Sequence, residues 1–366
     1  MPELPPFIES ASFQSLLGEL RSLSSRLNDD DAWPAEQLRE MSKAGVLGWT
    51  IPEEFGGSGI TNAELTTGYE QLSAACLAST FVLTQRNAAI QRIVQSQNSY
   101  LKDDLLPDLV TDELFATVGI SHLTTSRQHL DQPAVTAERV DAGYFLTGEI
   151  PWVTGADKAD IIVCGGTLED NTQILVALET VMPGVEIAPA APLMALNSSR
   201  TATVKLNHVF VSLEFLLHGP VENVMKQSGG GAGSFTTSAL AVGHAANAIG
   251  LLQEEASRRP ELNEILQPFV DEHAAISADL ARAATEGANP SAAPNLSAEA
   301  MRQRSNSLAL RASQACLAAS KGAGFVASHP ASRLVAEAMF FLVWSCPQPV
   351  VLGNLRELAC SGNARI

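Results

Sequence analysis

Several classes of function are excluded by what this 366-residue sequence lacks. Only 17% of its residues are charged and the formal net charge is −17, so it has no basic surface of the kind a general nucleic-acid binder uses against phosphates. No run approaches the ~18 uninterrupted apolar residues that a bilayer-spanning helix needs. The start, MPELPPFIES, has neither the basic segment nor the apolar core of a secretory leader. Cysteine is scarce and unpaired in pattern: Cys76, Cys164, Cys316, Cys346 and Cys360 are odd in number, scattered, and without a Cys-x-x-Cys spacing. That argues against a disulfide framework or a zinc site, and for buried, reduced thiols in a cytoplasmic protein. His122 and His129 stand seven apart with no carboxylate at ligand spacing, so no metal is expected.

What is present is apolar. A hydrophobic content of 46% at this length supports two or three well-buried domains. From Phe13 to about Asp108 the pattern is helical: Phe13, Leu16, Leu17, Leu20 and Leu23 recur at spacings of three and four, and the Ala-rich stretch Leu72 to Ile90 reads as a buried helix. The texture then changes to short β-rich runs at Phe115 to Ile120, Ala134 to Arg139, Tyr144 to Thr147, Ile161 to Cys164, Thr172 to Leu178, Val185 to Ala188 and Thr201 to Val211. Such runs imply a small barrel or sandwich. After a Gly229 to Gly233 linker, helices are expected over Ser234 to Glu255, Leu262 to Ala284, Ser297 to Ala323 and Ser332 to about Val343, with a turn at Glu286 to Pro294. Prolines 347 and 349 read as a helix stop. The expected fold class is α+β and multidomain: an N-terminal helical domain over 1–112, a middle β-barrel-like domain over 113–226, and a C-terminal four-helix bundle over 227–366.

The most informative segment is Ala44 to Ile60, AGVLGWTIPEEFGGSGI, where a short apolar run breaks into Pro-Glu-Glu-Phe and then Gly56, Gly57 and Gly59. Glycines so placed permit positive φ or close backbone approach in a tight connection after a packed helix. The string resembles the "G-V-x-x-P-E-E-F-G-G-x-G" segment of acyl-CoA dehydrogenases. Gly143 to Asp160, GYFLTGEIPWVTGADKAD, resembles that family's "G-Y-x-L-x-G-x-K-x-W-I-T-N-x-x-x-A-D" run, and Met194 to Pro220 resembles the closing strands of its β domain. The order of helical, β and helical units is also the family's.

The resemblance implies FAD as cofactor, a small-molecule substrate such as an acyl thioester, and a homodimer or homotetramer, since the family completes its flavin site across subunits. It assigns Trp152 and Thr154 to the flavin ring; two residues apart on one strand, they are expected on the same face. Trp152 reads otherwise as a core aromatic. Ser121 stands where the family carries a threonine in its "T-E-P-x-x-G-S-D" loop, although His122 replaces the acid, Leu123 the proline, and the later glycine is absent. Arg200 is an available anion contact or a solvated loop arginine. In the bundle, Arg258 keeps the cation of "R-x-x-F-G", and Gly322 keeps one glycine of "Q-x-x-G-G-x-G-F/Y", while Ala318 and Lys321 replace the glutamine and the first glycine.

The catalytic glutamate of "R-D-A-x-x-x-x-I-Y-E-G-T" falls on Ser345, which with a pKa far above neutral cannot remove an α proton unassisted. The alternative glutamate of the family aligns near Ser234 to Thr237, where no carboxylate occurs. The resulting expectation is a flavin-dependent oxidoreductase with an atypical substrate or base, such as the family's oxygenating branch. The alternative is a non-catalytic, flavin-free relative used for binding or assembly.

Overall fold

A computed structural model of the chain describes residues 7–29, 32–124, 132–227, 233–286 and 293–359. His129, Cys360, the linker before Gly233 and most of the Glu286 to Pro294 turn lie outside these residues.

The first helices form where the periodic apolar residues were found. Ser10 caps α1 (Ala11–Leu23), which buries Phe13, Leu16, Leu17, Leu20 and Leu23. α2 (Ala35–Lys43) follows. Thr61 and Glu64 close a capping box on α3 (Asn62–Ala75), satisfying two orphan N–H groups reciprocally. The Ala-rich stretch is two helices, not one: Cys76 takes an extended conformation, ending α3 and starting α4 (Leu77–Gln95). Together with α5 (Ser99–Leu109), α4 holds the fully buried Arg86. Its guanidinium donates to the carbonyls of Leu47 and Leu109, so it crosslinks the loop after α2 to the end of α5.

The middle segment is one mixed eight-stranded sheet in the order β6-β7-β3-β2-β4-β5-β8, with β1 pairing parallel to β4. Its strands are β1 (Ala116–Gly119), β2 (Val135–Val140), β3 (Gly143–Val153), β4 (Ile161–Thr167), β5 (Gln173–Glu179), β6 (Val185–Ile187), β7 (Ala202–Ser212) and β8 (Leu216–Val221). β8 had no counterpart among the expected runs, and β3 extends well past Thr147. The short helix α6 (Ser121–Thr124) follows β1, and α7 (Val224–Gln227) follows β8.

The bundle contains α8 (Gly233–Arg258), α9 (Asn263–Glu286), α10 (Ala298–Ala319), the single turn α11 (Lys321–Gly324), α12 (Pro330–Phe340) and α13 (Gln348–Leu358). Prolines 347 and 349 do not merely stop a helix. Pro347 caps α13 and Pro349 sits in its first turn, where a missing N–H costs nothing. α8 is long and apolar enough to cross a membrane by composition, yet it is mostly buried, packed against α3, α9 and α10. One core cluster joins the first helices to the bundle, through residues such as Leu20, Leu72, Leu240 and Leu308. A second lies within the sheet, and a third between α4, α5 and β1, β4 and β5. Cys76, Cys164 and Cys316 are buried thiols, as expected, whereas Cys346 is half-buried.

Candidate functional site

The residues singled out on the sheet converge at the end of β3. Against β7, Ile150 pairs with Val204 but Val153 pairs with Ala202, so three steps on β3 match two on β7. This bulge falls on Pro151 and Trp152. Trp152 has φ +60°, a conformation that costs a bulky L-residue strain, and the residue is 59% exposed. It is therefore not a core aromatic. Thr154 is 2% exposed, with Oγ1 at 3.3 Å from Thr201 Oγ1, which in turn lies 2.8 Å from Ser199 Oγ.

The expected common face of Trp152 and Thr154 is thus corrected: the bulge breaks the period-two alternation, sending the indole outward and the hydroxyl inward. The Thr154 carbonyl accepts from Thr117 Oγ1 at 2.8 Å, tying the end of β3 to β1. Ser121 Oγ donates to the Pro151 carbonyl at 3.0 Å, which sets the start of α6 beside Trp152. His122 Nε2 lies 3.0 Å from the Gly165 carbonyl. Arg200, at φ +50°, is clamped on Asp157 at 2.8 Å rather than solvated.

A second set lies at the ends of bundle helices. Arg258 is exposed at the end of α8 and meets Glu255 at 3.2 Å. Arg259 binds Glu255 at 2.6 Å and also donates to the Ala319 carbonyl, bringing the end of α8 to the end of α10 and hence to α11. Within α11, Lys321 adopts φ +55°, so a lysine holds a backbone conformation that glycine takes without strain. A Cβ added to Gly322 would meet nothing within 4 Å. The space beside that backbone is open.

The third group surrounds position 345. After α12 the chain turns through Phe341 to Ser345, and Ser345 is exposed at φ +47°. Trp344 stacks on Phe340 with centroids 5.1 Å apart, and each ring meets Phe81 of α4 at 4.9 Å. The buried Arg302 of α10 donates to the Trp344 carbonyl at 2.6 Å and reaches Cys346 Sγ at 3.7 Å. Burial lowers the pKa of that guanidinium.

Sequence reasoning missed the buried ionisable pair above this turn, because its members lie on helices far apart in the chain. Glu337 of α12 faces His244 of α8, with Oε2 3.6 Å from Nδ1, and Arg333 Nε lies 3.7 Å from Oε1. His244 Nε2 is 2.9 Å from the Leu334 carbonyl, which can only accept, so the proton sits on Nε2 and Nδ1 faces the carboxyl unprotonated. Burial pushes Glu337 up to about 7 and His244 down to about 4. Both charged forms are disfavoured. Among the described residues no three His, Cys, Asp or Glu side chains converge as a metal ion requires.

Backbone strain marks the same places. Among the non-glycine residues at positive φ are Trp152, Arg200, Lys321 and Ser345, each in a segment singled out from the sequence. Each such residue costs roughly 1 kcal/mol or more.

Residues 17–113 match the family model described as "Acyl-CoA dehydrogenase, N-terminal domain". The benzylmalonyl-CoA dehydrogenase of Aromatoleum aromaticum is 22% identical over 67% of this chain and 66% of its own length. The acryloyl-CoA reductase (NADH) of Anaerotignum propionicum is 27% identical over 50% and 48%. The match thus spans less than two thirds of either relative. The glutaryl-coenzyme A dehydrogenase in complex with glutaryl-CoA superimposes with a TM-score of 0.80 over 96% of both chains at 17% identity. The prolyl acyl carrier protein oxidase AnaB does so with 0.78 over 95% of this chain and 99% of its own at 14% identity. At these identities the structures establish the acyl-CoA dehydrogenase fold, and residues 17–113 are similar to the N-terminal domain of that family.

Proposed function

We propose that this protein is a flavin-dependent oxidoreductase that works without a carboxylate at position 345. The observation that carries the reading is the exposed indole of Trp152, held at φ +60° beside the Ser121 hydroxyl. A strained, uncovered aromatic face at the end of a strand is a platform for a flat ligand, and strain of this kind points toward function.

The other residues fit FAD in part. Arg258 offers an exposed cation for the pyrophosphate held by a neighbouring copy, and the open space beside Gly322 admits close approach of the adenosine half. Thr154 does not present its hydroxyl outward, so its role is to hold the end of β3 through Thr117 and Thr201. Bound flavin would supply the two-electron acceptor. Trp152 would cover the ring and keep water from it, while Ser121 would place a hydroxyl at its edge. Ser345 cannot remove an α proton, and Glu337, 7% exposed and facing His244, is too deeply buried to do so. The substrate is therefore a small molecule, such as an acyl thioester, whose oxidation proceeds through another base or by oxygenation. The working form is a cytoplasmic homodimer or homotetramer.

The second reading, a flavin-free scaffold, draws on the inward hydroxyl of Thr154 and on Lys321 in a glycine's conformation. Purified protein that is yellow and releases FAD on denaturation supports the first reading. Colourless protein that takes up neither FAD nor FMN overturns it in favour of the second. With flavin bound, a panel of acyl-CoAs is expected to cause no rapid anaerobic bleaching; rapid bleaching would show that a base replaces the missing glutamate.

A further inference from the structure

The loop from Trp49 to Ile60 takes no part in this chemistry, yet it forms one wall of a cleft. Trp49 to Ile60 folds back on itself: the Ile60 N–H donates to the Trp49 carbonyl at 2.9 Å and the Gly59 N–H to the Ile51 carbonyl at 2.9 Å. Gly57 makes this possible, because a Cβ there would lie 2.1 Å from the Ile51 carbonyl oxygen. Trp49 is anchored beneath by Phe7 and Phe13, with centroids at 5.1 and 5.8 Å. Between this closed loop and α3 and α4 lies a cleft of about 420 Å³. That volume is in the range of small-molecule sites.

Its lining carries charge of one sign only. Trp49 and Leu65 supply apolar wall, Asn62 and Gln91 supply amides, and Glu53 supplies the single charge. Neither the Glu53 carboxylate nor these two amides has a hydrogen-bond or ion-pair partner among the described residues. Thr50 also lines the cleft, and its Oγ1 is buried with no hydrogen-bond partner among the described residues. An orphaned buried hydroxyl is costly unless something satisfies it. Glu53 can only accept, and no cation among the described residues answers its carboxylate.

We propose that this cleft binds a small organic ammonium, its charge on Glu53 and its aliphatic part against Trp49 and Leu65. The net charge of −17 draws such a cation toward the protein. The site is independent of the flavin reading and needs no activity to be tested.

The probe is n-butylammonium chloride, compared with n-butanol and sodium butyrate at matched ionic strength. The readout is the indole N–H resonance of Trp49, identified by elimination with Phe variants of the other three tryptophans, Trp33, Trp152 and Trp344. A saturable shift with n-butylammonium alone is expected, with Kd on the order of millimolar. Glu53→Gln, at an exposed position, should weaken it about tenfold. No saturable shift, an equal response to n-butanol or butyrate, an equal response to potassium or calcium ions, or unchanged affinity in Glu53→Gln would each overturn the proposal.

Discussion

The glycine loop near residue 57 and the single turn near residue 322 meet their backbones under opposite conditions. At Gly57 the fold itself leaves no room for a side chain, since a Cβ would strike the Ile51 carbonyl at 2.1 Å. At Gly322 nothing of the chain lies within 4 Å of where a Cβ would be, and the preceding Lys321 already carries a side chain at φ +55°. A motif residue required by packing reports the scaffold, whereas one that packing leaves free has its reason, if any, outside the chain. This is why the Pro52 to Gly59 string is good evidence of ancestry and weak evidence of activity.

The largest expected effect breaks the first member of the pair. Gly57→Ala should destabilise the protein by about 3 kcal/mol, because the colliding atom is backbone and cannot rotate away. Urea denaturation of the variant against the parent measures this. A change within about 0.5 kcal/mol would show that the loop can open, and would remove the claim that its glycine is demanded by the fold.

A second test concerns α12, which carries the Glu337 half of the buried pair with His244 of α8. The Glu337 carboxyl is raised from an ordinary value of 4.5 to about 7, so the folded protein binds its proton more tightly than the unfolded chain does. Its contribution to stability is therefore present below pH 4.5 and lost as the pH rises through about 7. His244 is shifted from 6.5 down to about 4, so its contribution is present above pH 6.5 and lost as the pH falls toward 4. Over most of that window the two slopes oppose each other. Glu337→Gln removes one of them, and the stability of the variant relative to the parent should rise with pH from about 4.5 to about 7 and then level off. The total change is on the order of 3 kcal/mol. Denaturation midpoints across pH measure it; a pH-independent difference would mean that the carboxyl is not buried as described.

The backbone at Lys321 gives a smaller effect of opposite sign. Lys321→Gly should stabilise the protein by about 0.5 to 1 kcal/mol, because relief of strain at positive φ exceeds the entropy that glycine adds to the unfolded chain. Thermal unfolding of the two proteins checks the sign.

How much of this was legible in the residues follows from locality. Alternation over Val204 to Val211 and the three-and-four spacing from Phe13 to Leu23 are local patterns, and the strands and helices lie where those patterns are. β8 was missed because Leu216 to Val221, LLHGPV, carries Gly-Pro and no alternation, so only its pairing with β5 makes it a strand. The shared face assigned to Trp152 and Thr154 assumed a regular strand; the bulge that separates them is fixed by the partner β7. Pro347 and Pro349 were read as a stop because proline ends a helix from within, while here both stand where a helix begins. The His244 and Glu337 pair joins α8 to α12, and no spacing in the chain announces it.

Gly322→Ala is the smallest expected effect on the fold and the sharpest on the comparison. With open space at the Cβ position, stability should change by no more than about 0.5 kcal/mol. If the backbone there lies against the adenosine half of a bound flavin dinucleotide, the added methyl group meets the cofactor and nothing else. Uptake of FAD by the variant should then fall while uptake of FMN, which lacks that half, is unchanged. A variant that retains both stability and full FAD uptake would leave Gly322 without a ligand to explain it, and would place the cofactor contact of the bundle at Arg258 alone.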